Sequence, residues 1–377
     1  MKVLYSGYFS AASGMGEAAR NIVTALYLAG KDKLKLATHD VPNIQAKIDL
    51  GNSWQIAKSL NEKSNDHDIK IIHLTPDIVS NHLDPMKYHI FDLFWETDRL
   101  PSWWTWCLNL VDEIWTGDEY HAECFRKSGV KKNIWVRPQP IDTTVTSATP
   151  FIIKNHKGFL FYSAFQWLER KNPRALLTAY WKEFSGNDKV GLLIKTYKEF
   201  FTMEEAKQIM NEIKEWKQLL SLSHYPKIYL YPYSMTKHNM HRFHATGDCF
   251  VTSHRGEGWG RFIAEAMLFA KPVITTSYGG INEYLNEKIA YPIKWRYENV
   301  HGMNHVPWYE SKQQWASIDE DMLRKTMRYV YDNQAEAKEI GRQGQKFIVE
   351  NFNMLKVGNM MVDRLETIKR DILDKQI

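Results

Sequence analysis

The sequence predicts an α/β fold with two domains, each built on a parallel sheet covered by helices. Three observations support this prediction. Short apolar runs typical of buried strands alternate with helical stretches, and this alternation favours parallel sheets. A segment rich in proline and threonine, residues 137–150, has the composition of a linker between domains. With 377 residues, the chain is also too long for one typical domain and suits two.

The strands are predicted from apolar runs bounded by polar or glycine-rich segments. In the first half they cover residues 3–5, 34–38, 69–74, 88–94 and 113–116, and in the second half residues 159–162, 190–197, 228–233, 249–252 and 272–275. Helical spacing separates most of them, and a last helix is predicted over residues 355–372. Ligands of such sheets gather at the carboxyl ends of the strands, so polar residues there are the first candidates for a site.

Bulk composition narrows the class of protein. The net charge is +5, from 49 basic and 44 acidic residues, which favours anionic ligands without requiring a nucleic acid. The three cysteines indicate neither a disulfide framework nor a metal site, so no metal ligand is predicted. No apolar run approaches a membrane span and no signal peptide is evident, so we expect a cytoplasmic protein.

A glycine-rich turn between a predicted strand and a predicted helix is the strongest local signal. The helix that follows the turn offers free N–H groups and a positive dipole end to an anion. Glycine lets the backbone turn sharply and approach a ligand closely. The candidate ligand-binding residues of this turn are Gly256, Gly258, Trp259, Gly260 and Arg261.

Two glutamates bracket this turn. Glu257 lies within it, and Glu265 lies about one turn inside the following helix. A solvated loop acid and a surface helix acid would be the ordinary explanation. However, Glu265 is flanked by Ala264, Ala266 and Met267, and a carboxylate on a mostly apolar face should have a partner or a purpose. A phosphate at the helix end would leave both carboxylates free for sugar hydroxyls.

The two acids, the seven residues between them, the Gly-Trp-Gly sequence and the following Lys-Pro-Val-Ile resemble the nucleotide-sugar motif of glycosyltransferase family 4. That resemblance implies the GT-B fold, in which two Rossmann-like doubly wound domains face each other across a cleft. It places Glu257 on the donor sugar and Glu265 on the ribose. It further implies an acceptor domain at residues 1–143, a donor domain at 144–352 and a helix at 353–377 that crosses back to the first domain.

A basic pair lies at the end of the first strand of the second half. Arg170 and Lys171 immediately precede Asn172-Pro173, which is a helix-start signal, so both cations lie where they would reinforce an anion site. A solvated basic pair is the plain alternative. The family resemblance implies that Lys171 contacts the donor diphosphate with assistance from Arg170. Lys195, near the end of the next strand, is a weaker candidate for the same pocket.

Further site residues follow other strands. The resemblance places Tyr233 beside the nucleotide base. In the first half, Glu96 follows the strand over residues 88–94 among aromatic residues, where the alternative is an ordinary charged loop. Many family members have a histidine near this strand end and this chain does not, so Glu96 is the catalytic candidate of the first domain.

The first strand also ends in a glycine loop, with Gly14 and Gly16. Their spacing to Ala19 fits a loose dinucleotide fingerprint, and Asp40 lies roughly where a ribose acid would be. An NAD(P)-dependent oxidoreductase is therefore the competing hypothesis, although the loop is longer than that fingerprint usually allows. In the family that the chain resembles, a similar loop faces the donor phosphates and the acceptor.

The resemblance thus implies a retaining enzyme that needs no metal cofactor and uses a nucleotide-diphosphate sugar, with a UDP-sugar favoured as donor. The acceptor stays open between a carbohydrate, a lipid-linked glycan, a protein and a modified DNA base of the kind that phage enzymes glycosylate. If the chain is such a phage enzyme, the expected location is the cytoplasm of the host. A binding protein with an inactive GT-B fold is a third hypothesis. Oligomeric state is not predicted.

Overall fold

The computed structural model describes residues 1–42, 48–61 and 66–374 of the chain. It divides into two compact units. The first comprises residues from 1–95, from 99–144 and from 349 onward, and the second comprises residues 96–98 and 145–348.

The first unit contains a parallel sheet of six strands in the order β2-β1-β3-β4-β5-β6. The strands are β1 (Lys2–Gly7), β2 (Lys35–Asp40), β3 (Ile69–His73), β4 (Tyr88–Asp92), β5 (Glu113–Thr116) and β6 (Asn133–Val136). Five of them correspond to predicted runs. The edge strand β6 was not predicted, because it has only four residues and none of them is fully buried, so it lacks a long apolar run.

The second unit contains another parallel sheet of six strands, in the order β12-β11-β10-β7-β8-β9. Its strands are β7 (Phe159–Gln166), β8 (Val190–Tyr197), β9 (Lys227–Tyr231), β10 (Cys249–Thr252), β11 (Val273–Thr276) and β12 (Tyr291–Ile293). The predicted α/β fold with two parallel sheets is therefore confirmed.

An antiparallel pair follows in the second unit, formed by β13 (Trp295–Asn299) and β14 (Gln314–Ile318). The aromatic and histidine-rich sequence of residues 294–317 predicts a loop packed on the domain, and that prediction is wrong because both ends of the segment form strands. The two strands pair across a long connection, so no local turn signal marks them as a hairpin, although Trp295 and Tyr297 alternate with Arg296 and Glu298. Trp315 of β14 is fully buried.

Helices cover both sheets. They are α1 (Gly14–Ala29), α2 (Asn52–Ser59), α3 (Trp104–Leu108), α4 (Glu119–Lys127), α5 (Pro173–Glu183), α6 (Met203–Leu220), α7 (Lys237–Thr246), α8 (Arg261–Leu268), α9 (Glu320–Asp332), α10 (Gln334–Asn351) and α11 (Met354–Asp374). Short 3₁₀ helices lie at Pro76–His82, Glu169–Lys171 and Gly280–Glu283.

The C-terminal helix α11 belongs to the first unit, where it packs along α1. Val357, Met361 and Leu365 of α11 are fully buried in the same hydrophobic core as Ile22 and Leu26 of α1. This apolar stripe explains why the end of the chain returns to the first sheet, because an amphipathic helix must bury its apolar face against another element.

Within the described ranges, no helix has both the length and the apolar character that crossing a bilayer would need. Cys107, Cys124 and Cys249 are buried free thiols.

Candidate active site

The predicted glycine turn follows β10 and leads into α8. Gly260 caps α8 with φ +69°, a left-handed conformation that side chains with a Cβ rarely adopt. Gly256 packs so closely that a Cβ there would lie 2.1 Å from the backbone oxygen of Glu96. These two glycines therefore fix the path of the turn, and the first N–H groups of α8 start directly after it.

The predicted basic pair lies in the loop after β7, within the 3₁₀ helix Glu169–Lys171. Asn172 then caps α5, with its side chain accepting a hydrogen bond from the Ala175 N–H. Two hydrogen bonds join this loop to the one after β10: the Arg255 N–H donates to the Arg170 carbonyl at 2.7 Å, and Ser253 Oγ donates to the Asn172 carbonyl at 2.8 Å. Residues 86 positions apart in sequence thus share one site.

An ion cluster occupies this junction. The Lys171 ammonium pairs with Glu257 Oε1, and the two side chains are only 12% and 18% exposed. Arg170 donates to the Gly256 carbonyl at 2.7 Å and lies 3.4 Å from Glu96 Oε1 and 4.0 Å from Glu257 Oε2. The hydroxyl of Tyr309 donates to Glu96 Oε2 at 3.3 Å. Two carboxylates, Glu96 and Glu257, and two cations, Arg170 and Lys171, are therefore joined by contacts within ion-pair distance.

The cluster sets the protonation of its members. Burial acts to raise the pKa of Glu257, but the positive charges of Lys171 and Arg170 outweigh it and lower the pKa to about 2. Burial and the adjacent Arg170 lower the pKa of Lys171. Burial also lowers the pKa of the His254 imidazole to about 3, so this histidine is neutral near pH 7. A carboxylate and a cation therefore lie side by side at the start of α8.

The second predicted acid, Glu265, is 6% exposed and lies among cationic and imidazole groups. Lys237 Nζ lies 2.9 Å and an Arg261 nitrogen 3.3 Å from Glu265 Oε1, while His244 Nε2 lies 3.5 Å from Oε2. Burial acts to raise the pKa of Glu265, but these neighbours hold it well below its ordinary value. Glu257 and Glu265 thus each hold a cationic partner in this structure.

The other predicted residues of the second unit lie in different surroundings. Trp259 is buried against Tyr284, whose hydroxyl donates to the Trp259 carbonyl at 2.8 Å. Tyr233 lies two residues beyond the end of β9, is 40% exposed and donates to the sulfur of Met203 at 3.3 Å. The structure thus makes Trp259 a support of the turn and leaves Tyr233 at the surface.

The glycine loop of the first unit is closed by its own contacts. Ser13 is the N-cap residue of α1, and its Oγ accepts a hydrogen bond from the Gly16 N–H at 3.1 Å. Gly14 is the first residue of that helix. Asp40 Oδ1 accepts from the Ser10 N–H at 3.2 Å. These groups, which a dinucleotide would use, are engaged in holding the loop.

Sequence reasoning missed several residues that the fold brings to the site. Tyr309 lies in the connection between β13 and β14, and only tertiary structure places it beside Glu96. Lys237, the first residue of α7, lies 28 positions before Glu265 and gave no local signal.

A second buried network in the first unit was also missed. Asp92 and His73 are the last residues of neighbouring strands, β4 and β3. His73 Nδ1 lies 2.7 Å from the Tyr5 hydroxyl and 3.4 Å from Asp92 Oδ2, and Arg137 pairs with the same Asp92 oxygen. A histidine thus exists at a strand end of the first sheet, one strand away from the position examined in the sequence.

Comparison with known proteins bears on the class of this site. Residues 156–295, which include the basic pair and both acids, match the family model described as Glycosyl transferases group 1. A search of curated proteins found no match to the chain. Among solved structures, HepE of Anabaena in complex with UDP and glucose is 13% identical, with 97% of this chain and 99% of that chain covered and a TM-score of 0.67. Sucrose-phosphate synthase of Thermosynechococcus elongatus is 11% identical, with 98% and 100% covered and a TM-score of 0.70.

At these identities the structural likeness shows the fold, and that fold is GT-B. The matched residues lie in the second unit and include Arg170, Lys171, Glu257 and Glu265. Fold and domain together define a glycosyltransferase.

Proposed function

We propose that this chain is a retaining glycosyltransferase of family 4 that transfers a sugar from a UDP-sugar to an acceptor hydroxyl without a metal ion. The observation that carries the proposal is the Lys171–Glu257 pair at the start of α8, with Glu265 one turn further along the helix. UDP is favoured because HepE, which shares the fold, was solved with UDP and with UDP-glucose.

Departure of the nucleoside diphosphate builds negative charge, which needs preorganised positive groups. Lys171, Arg170 and the N–H groups at the start of α8 supply them on one side of the turn. When a diphosphate arrives, Lys171 exchanges its contact with Glu257 for the phosphate oxygens. Glu257 is then released as an ionised acceptor for the hydroxyls of the donor sugar.

Glu265 takes the ribose hydroxyls in this proposal. Its position is fixed by Lys237, Arg261 and His244, which keep it ionised. An ionised carboxylate accepts from two vicinal hydroxyls, and such charge-assisted hydrogen bonds are stronger than those between neutral groups.

Glu96 acts as a positioning residue. It pairs with Arg170 and accepts from Tyr309, so it holds the guanidinium beside Gly256 and the start of α8. Its negative charge also offsets part of the buried positive charge before the donor binds, since an unpaired buried charge is costly.

The test is a donor screen by calorimetry in the presence of EDTA, with UDP, GDP, ADP and their glucose conjugates. We expect UDP-sugars to bind and to be turned over with EDTA present, and NMR of the anomeric proton to show retention. Acceptor screening then covers polysaccharide, lipid-linked glycan, protein and DNA with hydroxymethylcytosine. Binding of NADPH without binding of any nucleoside diphosphate would instead support the oxidoreductase hypothesis, and donor binding without turnover or hydrolysis would support an inactive fold.

A further inference from the structure

Lys195 lies at the same edge of the second sheet as the basic pair. It is near the carboxyl end of β8, in register with Ala164 of β7 and Tyr231 of β9. The segments that leave β7 and β8 are joined by two hydrogen bonds: the Trp167 N–H donates to the Tyr197 carbonyl at 2.7 Å, and Gln166 Nε2 donates to the Lys198 carbonyl at 2.6 Å. Lys195 thus lies on a strand whose carboxyl end is hydrogen-bonded to the segment that leads into the loop of Arg170 and Lys171.

The Lys195 ammonium is buried without a counter-charge. The residue is 6% exposed, and no carboxylate of the described residues lies within ion-pair distance of Nζ. Its neighbours are two aromatic rings, with Nζ 4.8 Å from the ring centre of Tyr197 and 4.9 Å from that of Phe201. Cation–π contacts offset only part of the cost of burying a charge. A buried cation of this kind is satisfied when an anion arrives.

The loop after β8 is built to keep these rings in place. Phe201 has φ +58°, a conformation that costs energy for any residue except glycine. Glu205 sustains it by accepting from the N–H groups of Glu199, Phe200 and Phe201 at 2.9, 2.8 and 2.9 Å. The rings of Tyr197 and Phe201 stack with their centres 4.1 Å apart. Because Glu205 is engaged by the backbone, the nearby acid is not a partner for the ammonium.

We propose that Lys195 is a third cationic ligand of the donor diphosphate, in addition to Lys171 and Arg170. This inference rests on the proposed function and extends it, because Lys195 comes from a different strand and has no acid to release. Arg170 and Lys171 are already balanced by Glu96 and Glu257, whereas Lys195 brings uncompensated positive charge to the same sheet edge.

Titration provides a signature for this role. Burial lowers the pKa of Lys195 to about 8. The groups that face the Lys195 ammonium are Tyr197 and Phe201, which follow it in the chain, and Tyr231, its partner on the neighbouring strand β9. The positive charge of Arg170, in the neighbouring loop, acts to lower the pKa of Tyr197. The ammonium must be protonated to bind phosphate, so affinity for the diphosphate falls as pH rises through about 8.

The experiment compares UDP with uridine by calorimetry in the wild type, Lys195→Met, Lys195→Arg and the control Lys198→Met. Lys198 is the neighbouring lysine, but it is paired with Glu212 at 2.6 Å. We expect Lys195→Met to bind UDP about ten- to a hundred-fold more weakly, the loss typical of a charge-assisted hydrogen bond, with uridine affinity unchanged. Lys195→Arg should retain UDP binding without the decline near pH 8, and Lys198→Met should match the wild type.

Thermal unfolding of the free protein separates ligand binding from a structural role. Removing a buried, uncompensated charge should leave the melting temperature of Lys195→Met equal to or above that of the wild type. A lower melting temperature with an unchanged UDP-to-uridine affinity ratio would overturn the inference. Equal UDP affinity in the wild type and Lys195→Met would do the same while leaving the proposed function intact, whereas a wild type that binds no UDP would contradict the proposed function itself.

Discussion

Lys171 and Glu257 form a largely buried ion pair that links the loop after β7 to the turn after β10. Each residue neutralises the other, and in the proposed mechanism a substrate offers both of them new partners. The family resemblance implies a separate role for each residue, Lys171 on the diphosphate and Glu257 on the sugar. Under the proposed function, the two roles begin with one event, the entry of a phosphate between them.

Replacing Lys171 with Met should lower kcat at saturating UDP-sugar by about a hundred-fold, because a positive group that stabilises the leaving diphosphate is lost. Steady-state kinetics measures the effect. The control is Lys182→Met, which changes an exposed lysine on α5. A wild-type kcat in Lys171→Met would remove this lysine from the mechanism.

Replacing Glu265 with Gln should weaken UDP binding by about ten-fold or more, because hydrogen bonds from ribose to a charged acceptor become neutral ones. The sharper readout is the preference for UDP over 2′-deoxy-UDP, measured by calorimetry. The wild type should show it and Glu265→Gln should lose most of it, while Glu204→Gln on exposed α6 should not change it. A full preference in Glu265→Gln would contradict the ribose role.

Sequence reasoning predicted site residues where reactive side chains directly follow a strand that the apolar pattern predicts. The glycine turn, Glu257 and the basic pair lie at strand ends that periodicity located, and Glu265 lies in the helix after the turn, so their grouping followed from the rules of parallel sheets. It did not predict contacts between residues that are distant in sequence. Tyr309 and Lys237 are brought in by tertiary packing, and the pairing of β13 with β14 has no local signature.

The state of each carboxylate could not be predicted either. Local sequence places Glu257 and Glu265 near an anion site but does not show that each already holds a cation. The domain boundaries, the acceptor and the role of Glu96 at the site remain predictions.

The free energy of unfolding should decline as pH falls from about 4.5 to about 2, because Glu257 has its pKa lowered from 4.5 to about 2 in the folded protein. In that window the unfolded chain binds a proton that the folded chain does not, so acid favours unfolding by up to about 1.4 kcal/mol per pH unit. Urea titrations at several pH values measure the slope, and Glu257→Gln should reduce it.

Asp188 provides an internal comparison for this slope. Its hydrogen bonds with Arg328 lower its pKa to about 2, and its hydrogen-bond partners are Arg328 and Ser185 rather than residues of the ion cluster. Asp188→Asn should therefore reduce the same acid slope but leave UDP binding unchanged, whereas Glu257→Gln should affect both. If Glu257→Gln keeps the wild-type slope, its carboxylate is not stabilised by Lys171 as described.

The attachment of α11 to the first sheet should depend on one ion pair. Arg364 donates to both oxygens of Glu113, a carboxylate with no exposed surface at the start of β5. Arg364→Met leaves that charge with only Tyr88, Trp115 and Asn133 as donors, and should lower the free energy of unfolding by about 2–3 kcal/mol. Urea unfolding followed by circular dichroism measures it.

Lys33→Met breaks the pair of Lys33 with Glu366 on the same helix, but the two side chains are 49% and 42% exposed, so losing this pair should cost less than about 1 kcal/mol. Equal losses in the two variants would mean that apolar packing alone, and not the buried pair, holds α11 in place.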